Sequence, residues 1–498
     1  MSSSENNARP APILGLPPEV TCKIFECALE TLTEIHHTNR SSLLPEVVIS
    51  HMCSSWRAIA LEHSILWTSF CYRGSLSPRF PLDRLEAYLK RSGSRTLQLW
   101  LEFRGNQRRK PQNMGNEVEL LDVSLSHIAR WSRVTILVNH GITFDANTWE
   151  ALRSPSVSAE NLEHFALYWV PEEGTFTSSM TTDGLADLEI MVGGAPKLQS
   201  FVTNGRSGAI CLPKLESLNN ITTLSLEIRF GDESPMLTCH AFVQRFLYLP
   251  CLEDVSIVGD IFRLPHSTHN LGLIRMNALR HLRFNSPNML KLLPFLQAPL
   301  LKALVIRNDG HGFIPACIAL DNIEPYTFPS LQTLVLTEVQ ADSMSPQQGQ
   351  YFLKMTSMAT EITFSQESSR KQFFSPMLHI PNLLIQYWPR LETLTLNVDT
   401  VSNQVDFSAL VVVPFQNKIT LRLTHAVFLY WKAFEKSADI RSFPARKINI
   451  QPIKYDANDV LYGPLCQAVN GPWGMCHHFG EYFQDEFHIH THFHSNLH

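Results

Sequence analysis

The sequence predicts an α/β chain: three N-terminal helices, then an irregular solenoid of strand-bearing units. Three observations predict it. Apolar residues fall at helical spacing within residues 13–70, β-like alternation begins near residue 95, and one apolar pattern recurs nine times between residues 162 and 396.

Length and composition set the bounds. A chain of 498 residues exceeds one ordinary core, so several domains or an elongated array are expected. Hydrophobic residues make up 44%, enough to bury a large core. The 41 basic and 46 acidic residues nearly balance, which argues against a nucleic-acid partner. No apolar run is long enough to span a bilayer, so no membrane partner is expected. The ten cysteines show no C-x-x-C pair and read as reduced thiols. Residues 1–12 are Ser/Asn/Pro-rich, read as a disordered tail, and lack the apolar core of a signal peptide. The expected compartment is cytoplasmic or nuclear.

Residues 13–70 read as helical. Pro17 and Pro18 suit a helix start, and Glu19 lies in the first turn, where a carboxylate offsets the helix dipole. Val20, Ile24 and Cys27/Ala28 form one apolar stripe. After the polar stretch 33–42, a second helix starts near Pro45 with Val48, Met52 and Ile59 on its stripe and Trp56 beside them. A third short segment holds Leu66 and Trp67.

From residue 95 to 450 the chain reads as repeats. Leu97–Leu101 and Val134–Val138 are strand-like, separated by a basic loop at Arg108–Lys110 that reads as a solvated surface. The pattern Leu-x-x-Leu-x-Leu is complete at Leu331/Leu334/Leu336 and Leu391/Leu394/Leu396. Variants start at Leu162, Leu198, Ile221, Leu252, Leu279, Leu301 and Ala359. A proline stands two residues before the first leucine at Pro196, Pro250, Pro299, Pro329 and Pro389. The spacing is irregular and lies near the leucine-rich-repeat range of roughly 20–29 residues. In a strand, residues two apart share a face, so Leu334 and Leu336 point inward while Val335 and Thr337 point out. The asparagine or cysteine usual three residues after the last leucine is replaced by Val339, Asp399, Asp309, Pro287 and Asp260, which predicts irregular turns and inserted helices. Two further segments, Lys418–Leu423 and Lys447–Ile450, extend the sheet.

The first seventy residues resemble the F-box, in the form with a long spacer between helices. The resemblance is carried by Leu16-Pro17-Pro18-Glu19-Val20, Ile24-Phe25, the run Ser50 to Ala60 with Cys53, Trp56 and Arg57, and Leu66-Trp67. Met52 stands where valine or isoleucine is more usual. The resemblance implies a three-helix module binding a Skp-type adaptor and, through it, a cullin. It implies adaptor contacts at Leu16, Pro17, Pro18, Ile24 and Phe25, with Trp56 and Trp67 holding the module together. An exposed apolar patch covered only in a complex is the expected physical basis.

F-box proteins with leucine-rich repeats are non-enzymatic substrate adaptors of ubiquitin ligases, and the repeat face would then meet an unidentified protein substrate. The outward positions Tyr168, Glu227, Ser256, Val258, Arg283, Asn285, Val305, Arg307, Val335, Thr337, Thr395 and Asn397 are the candidate face. This mixed set reads as recognition by shape and hydrogen bonds.

No nucleophile elbow, P-loop or H-E-x-x-H motif occurs, and Gly193-Gly194 and Gly310-His311-Gly312 read as turns. No cofactor or metal is expected. Residues 451–498 read as an irregular tail in which His477, His478, His488, His490, His492, His494 and His498 cluster. Four alternate, but without a fixed second shell they read as a flexible tract. Two other readings are a leucine-rich-repeat scaffold without a ligase role and a metal-dependent hydrolase using these histidines.

Overall fold

The computed structural model of the chain describes residues 15–36, 45–73, 81–103, 114–138, 156–169, 188–204, 211–213, 218–227, 237–259, 261–264, 272–307, 326–337, 346–366, 388–398, 418–437 and 448–453. The expectations for the 1–12 tail, the Arg108–Lys110 loop, the glycines at 310 and 312 and the terminal histidines lie outside these residues. The chain is mixed α/β with a large parallel sheet, in two compact units that lie within Met1–Leu198 and within Gln199–Ala468.

The first unit opens with α1 (Pro18–His36), α2 (Pro45–Met52) and α3 (Ser54–Glu62), followed by a 3-10 turn at Ser64–Trp67. The single second helix expected from Pro45 onward is broken. Cys53 is extended, and its Sγ accepts the Trp56 N–H at 3.4 Å, so it caps α3 and ends α2. Strands β1 (Ser69–Arg73), β2 (Leu97–Phe103), β3 (Trp131–Val138) and β4 (His164–Trp169) pair in parallel in sequence order, joined through α4 (Pro81–Ser92) and α5 (Met114–Leu125). The strands therefore begin at Ser69, well before residue 95. Phe70 and Tyr72 supply the alternation there, and both are buried.

The second unit runs β5 (Ser200–Asn204), β6 (Thr223–Glu227), β7 (Asp254–Val258), β8 (His281–Phe284), β9 (Ala303–Arg307), β10 (Thr333–Thr337), β11 (Glu361–Gln366), β12 (Thr393–Val398), β13 (Ile419–Leu423) and β14 (Ile448–Pro452). Each pairs in parallel with the next. All nine copies of the sequence pattern put their third residue at a strand start. Register then stacks like on like: Leu304, Leu334, Ile362 and Leu394 form one row, and Ile306, Leu336, Phe364 and Leu396 a second. Both rows are buried.

The recurring proline has a physical cause. In every copy the first apolar residue donates its N–H to the carbonyl three residues earlier, as in Leu331 to Phe328 at 3.3 Å and Leu391 to Trp388 at 3.1 Å. Pro196, Pro250, Pro299, Pro329 and Pro389 each occupy the second position of that turn, where a fixed φ is favourable. The turn also has an unpredicted apolar position at its start, occupied by Ala195, Leu249, Ala298, Phe328 and Trp388, all buried.

The expectation of open outward strand positions is corrected. Val335, Thr337, Asn285, Thr395 and Asn397 are buried, as are Tyr168, Ser256, Val258 and Val305. Arg283 and Arg307 are half-buried. Parallel strands are commonly covered on both faces, and strict in-out alternation belongs to one-sided antiparallel sheets. Asn285 has a specific structural task. Its Oδ1 accepts the buried N–H of Gly259, which has a φ of 78°, so it ties the end of one copy to the next. Ser286 then caps the helix α6 (Pro287–Leu292), its hydroxyl accepting the Met289 N–H at 3.4 Å. The inserted helices α7 (Pro346–Met355) and α8 (His425–Ser437) precede β11 and follow β13. Gly194 has a φ of 100° in a turn closed by its N–H to Met191 at 2.9 Å.

Removing the Asn285 side chain leaves the Gly259 N–H buried without its acceptor. Asn285→Ala is expected to lower unfolding free energy by about 1–3 kcal/mol, against no more than about 0.5 kcal/mol for exposed Gln332→Ala. Chemical denaturation of both variants checks this.

Candidate functional site

Helix α1 is two-sided. Its N-terminal turn is set by Pro17, whose carbonyl accepts the Thr21 N–H at 3.1 Å and the Thr21 hydroxyl at 3.2 Å. Thr21 and Phe25, one turn apart, face inward and are buried. Leu16, just before the helix, and Val20, Ile24 and Cys27 along its adjoining face are exposed, Val20 at 44% and Ile24 at 38%. The apolar stripe read from the spacing is thus a surface stripe. On α2, Val48 and Met52 are also exposed, Met52 at 63%, while Ile49 and Ser50 are buried. Five of the ten exposed large hydrophobic side chains among the described residues therefore lie within the first 52 residues. Such a concentration is what a docking surface needs.

The inward side explains why this surface holds its shape. The rings of Phe25 and Trp56 meet edge to face with centroids 5.1 Å apart. Trp67 is buried, and its indole N–H donates to the Ala60 carbonyl at 2.7 Å, linking α3 to the following turn. Glu26 accepts from Lys23 at 2.9 Å and pairs with His63 at 3.1 Å, which clamps α1 to the end of α3. The Lys23 hydrogen bond, aided by His63, holds the Glu26 carboxyl below its usual range.

Of the expected adaptor contacts, Leu16, Pro17, Pro18 and Ile24 are exposed, and Phe25 is not. At 1% exposure Phe25 belongs to the core with Trp56, because its position one turn after Thr21 points it inward. Trp67 is buried, and Trp56 is half-buried. Val20, Val48 and Met52 were missed. Val20 was legible, since it stands four residues from both Leu16 and Ile24 and shares their face.

A second polar feature joins these helices to β1. Glu46, at the first turn of α2, is buried and accepts a hydrogen bond from the Tyr88 hydroxyl on α4. Tyr88 in turn packs edge to face on Trp67 at 5.1 Å and on Phe70 at 5.3 Å. Arg84 lies 4.6 Å over the Phe70 ring and donates to the Cys71 carbonyl. Burial pushes the Glu46 carboxyl up, against the opposing pull of the Tyr88 hydrogen bond and of Arg84. Burial also pushes the Tyr88 and Tyr72 phenols up, and Tyr72 donates to Glu117 at 3.0 Å.

Elsewhere, His164 is buried and its imidazole is pushed down to about 3 by burial, with Arg133 adding to it. Among the described residues no group of three or more His, Cys, Asp or Glu side chains is placed to hold a metal. No described helix is long and apolar enough to cross a membrane. No protein-family model matches the chain, and no curated protein matches it.

The Glu46 shift has a consequence for stability. A carboxyl raised in the folded state binds its proton more tightly there than in the unfolded chain. Stability therefore falls as pH rises from the unfolded carboxyl range, about 4.3, through the higher folded value. Glu46→Gln keeps an acceptor for Tyr88 without the charge. At neutral pH the variant should be more stable than the wild type by on the order of 1 kcal/mol per unit of upward shift, and the two should converge in acid. Thermal melts across pH 4–8 read this difference.

Proposed function

We propose that the chain is a non-enzymatic substrate adaptor of a Skp–cullin ubiquitin ligase, with residues 13–70 as a three-helix F-box-like module and the parallel array as a leucine-rich-repeat-like solenoid that carries the target. The observation that carries the reading is the exposed apolar stripe Leu16, Val20 and Ile24 beside Val48 and Met52. It stands on the residues that resemble the F-box, on helices whose other sides pack inward through Phe25, Trp56 and Trp67. An apolar stripe on small helices is stable in water only at a cost, and burial against a partner helix offsets it at roughly 25 cal/mol per Å².

The eight pattern copies whose strands pair in register, β5 to β12, support the solenoid part. Their apolar rows continue from copy to copy, as in stacked repeat architectures. Buried Val335, Thr337, Asn285, Thr395 and Asn397 are not target contacts in this arrangement, so the target is read by other surfaces.

Binding of the full chain to an immobilised Skp-type adaptor tests the reading. Val20→Glu and Ile24→Glu place charge in the stripe and should each weaken binding at least about tenfold, since central apolar anchors carry most of an interface's energy. Because both side chains are exposed, the melting temperature should hold. Gln332→Ala, an exposed position in the second unit, should bind as wild type. An unmodified chain that fails to bind, or an Ile24→Glu chain that binds normally, overturns the assignment.

A further inference from the structure

The strand-entry edge of the second unit carries a second apolar surface, and three consecutive copies build it. The copies beginning at Leu252, Leu279 and Leu301 feed β7, β8 and β9, which pair directly through Asp254, His281 and Ala303. Their turns close in the same way, with N–H to carbonyl distances of 3.4, 3.3 and 3.2 Å at Leu252, Leu279 and Leu301. Equivalent residues of the three copies therefore lie side by side at about the 4.8 Å strand spacing.

Three rows follow, exposed at Tyr248, Arg275, Cys251, Leu300 and Lys302 and half-buried at Gln297, Ala278, Glu253 and Arg280. Four residues before the first leucine stand Tyr248, Arg275 and Gln297. One residue before it stand Cys251, Ala278 and Leu300. One residue after it stand Glu253, Arg280 and Lys302. The last row is bound together by backbone: the Arg280 N–H donates to the Glu253 carbonyl and the Lys302 N–H to the Arg280 carbonyl, both at 2.7 Å. Tyr248 is 51% exposed and Leu300 44%, large values for apolar side chains on rigid turns. The short parallel pair Ile274–Arg275 with Leu296–Gln297 fixes the outer row, because Ile274 and Leu296 are buried and turn their neighbours out.

Charge on this patch is one-sided. Glu253 is held by Arg280 at 3.0 Å and Asp254 by His281, so both acids are already paired. Arg275 and Lys302 make no ion pair among the described residues. The bounding copies are polar and uncharged at the same positions: Asn220 and Thr222 on one side, and Thr327, Ser330 and Gln332 on the other. The patch is thus a local apolar and cationic island on a chain of net charge −5.

We infer that this edge docks an acidic partner segment whose apolar side chains seat on Tyr248 and Leu300 while its carboxylates meet Arg275 and Lys302. Apolar contact supplies affinity, and the paired cations select the sign of the partner. The inference is independent of adaptor binding by the N-terminal helices. A random peptide library displayed on phage, selected on the full chain and counter-selected on the Arg275→Glu/Lys302→Glu variant, tests it. The selected pool should be enriched in Asp and Glu interleaved with apolar residues. Its peptides should lose at least about tenfold in affinity on that variant and on Leu300→Ser, and bind more weakly as salt rises. Equal melting temperatures of the three proteins show that the fold is kept. A pool without acidic enrichment, no pool that distinguishes the variant, or peptides that bind all three proteins alike overturns it.

Discussion

Strands β6 to β13 of the second unit each place two apolar side chains in rows shared with their neighbours. That constraint organises the rest of the structure. A parallel pair locks register through slanted backbone bonds, and a slip of one residue would turn every inward side chain outward. The turn before each strand sets where the rows begin. Its first residue is buried, its second is often proline, and its last N–H closes back on the first carbonyl. Asn285 performs the same service at the other end of a strand, by holding the Gly259 backbone. The irregular spacing of the copies is absorbed between these fixed points, where helices such as α6 and α7 are inserted.

The N-terminal helices solve the opposite problem. They hold an apolar stripe in water rather than hiding it. Phe25 and Trp56, with Trp67 fastened to Ala60, supply enough inward contact to leave Val20 and Ile24 outside. The buried Glu46–Tyr88 hydrogen bond ties this assembly to α4 and, through the rings of Trp67 and Phe70, to the first strand. Local charge lies at the rim, in the Lys23, Glu26 and His63 cluster. An apolar centre with a polar rim is the usual anatomy of a protein interface.

Much of this was legible from residues, and the failures have physical causes. The nine pattern copies marked the strand starts, because two apolar residues at strand spacing after an anchor leave few other arrangements. The turn prolines were visible, but the apolar residue before each was not, since Ala195, Leu249, Ala298, Phe328 and Trp388 range from alanine to tryptophan. Val335 and Thr337 were assigned to an open face by alternation, a rule that fails where both faces are covered. Asn285 was missed as a structural residue because it directly follows Phe284 rather than standing three places on. The α1 stripe was legible as a periodicity, which identifies a face but does not say whether protein or water meets it. Phe25, adjacent to Ile24 in the motif, is buried because one residue on a helix is a turn of about 100°, which carries it from the exposed face to the inner one.

The central claim is that the exposed stripe of α1 and the neighbouring side of α2 form a partner-binding surface. Hydrogen exchange of the full chain, measured alone and with a saturating Skp-type adaptor, tests it most directly. Slowed exchange confined to residues 15–28 and 45–53, with β9 to β12 unchanged, is the predicted result. Unchanged exchange in those two segments, or slowing centred on the strands, would contradict the account.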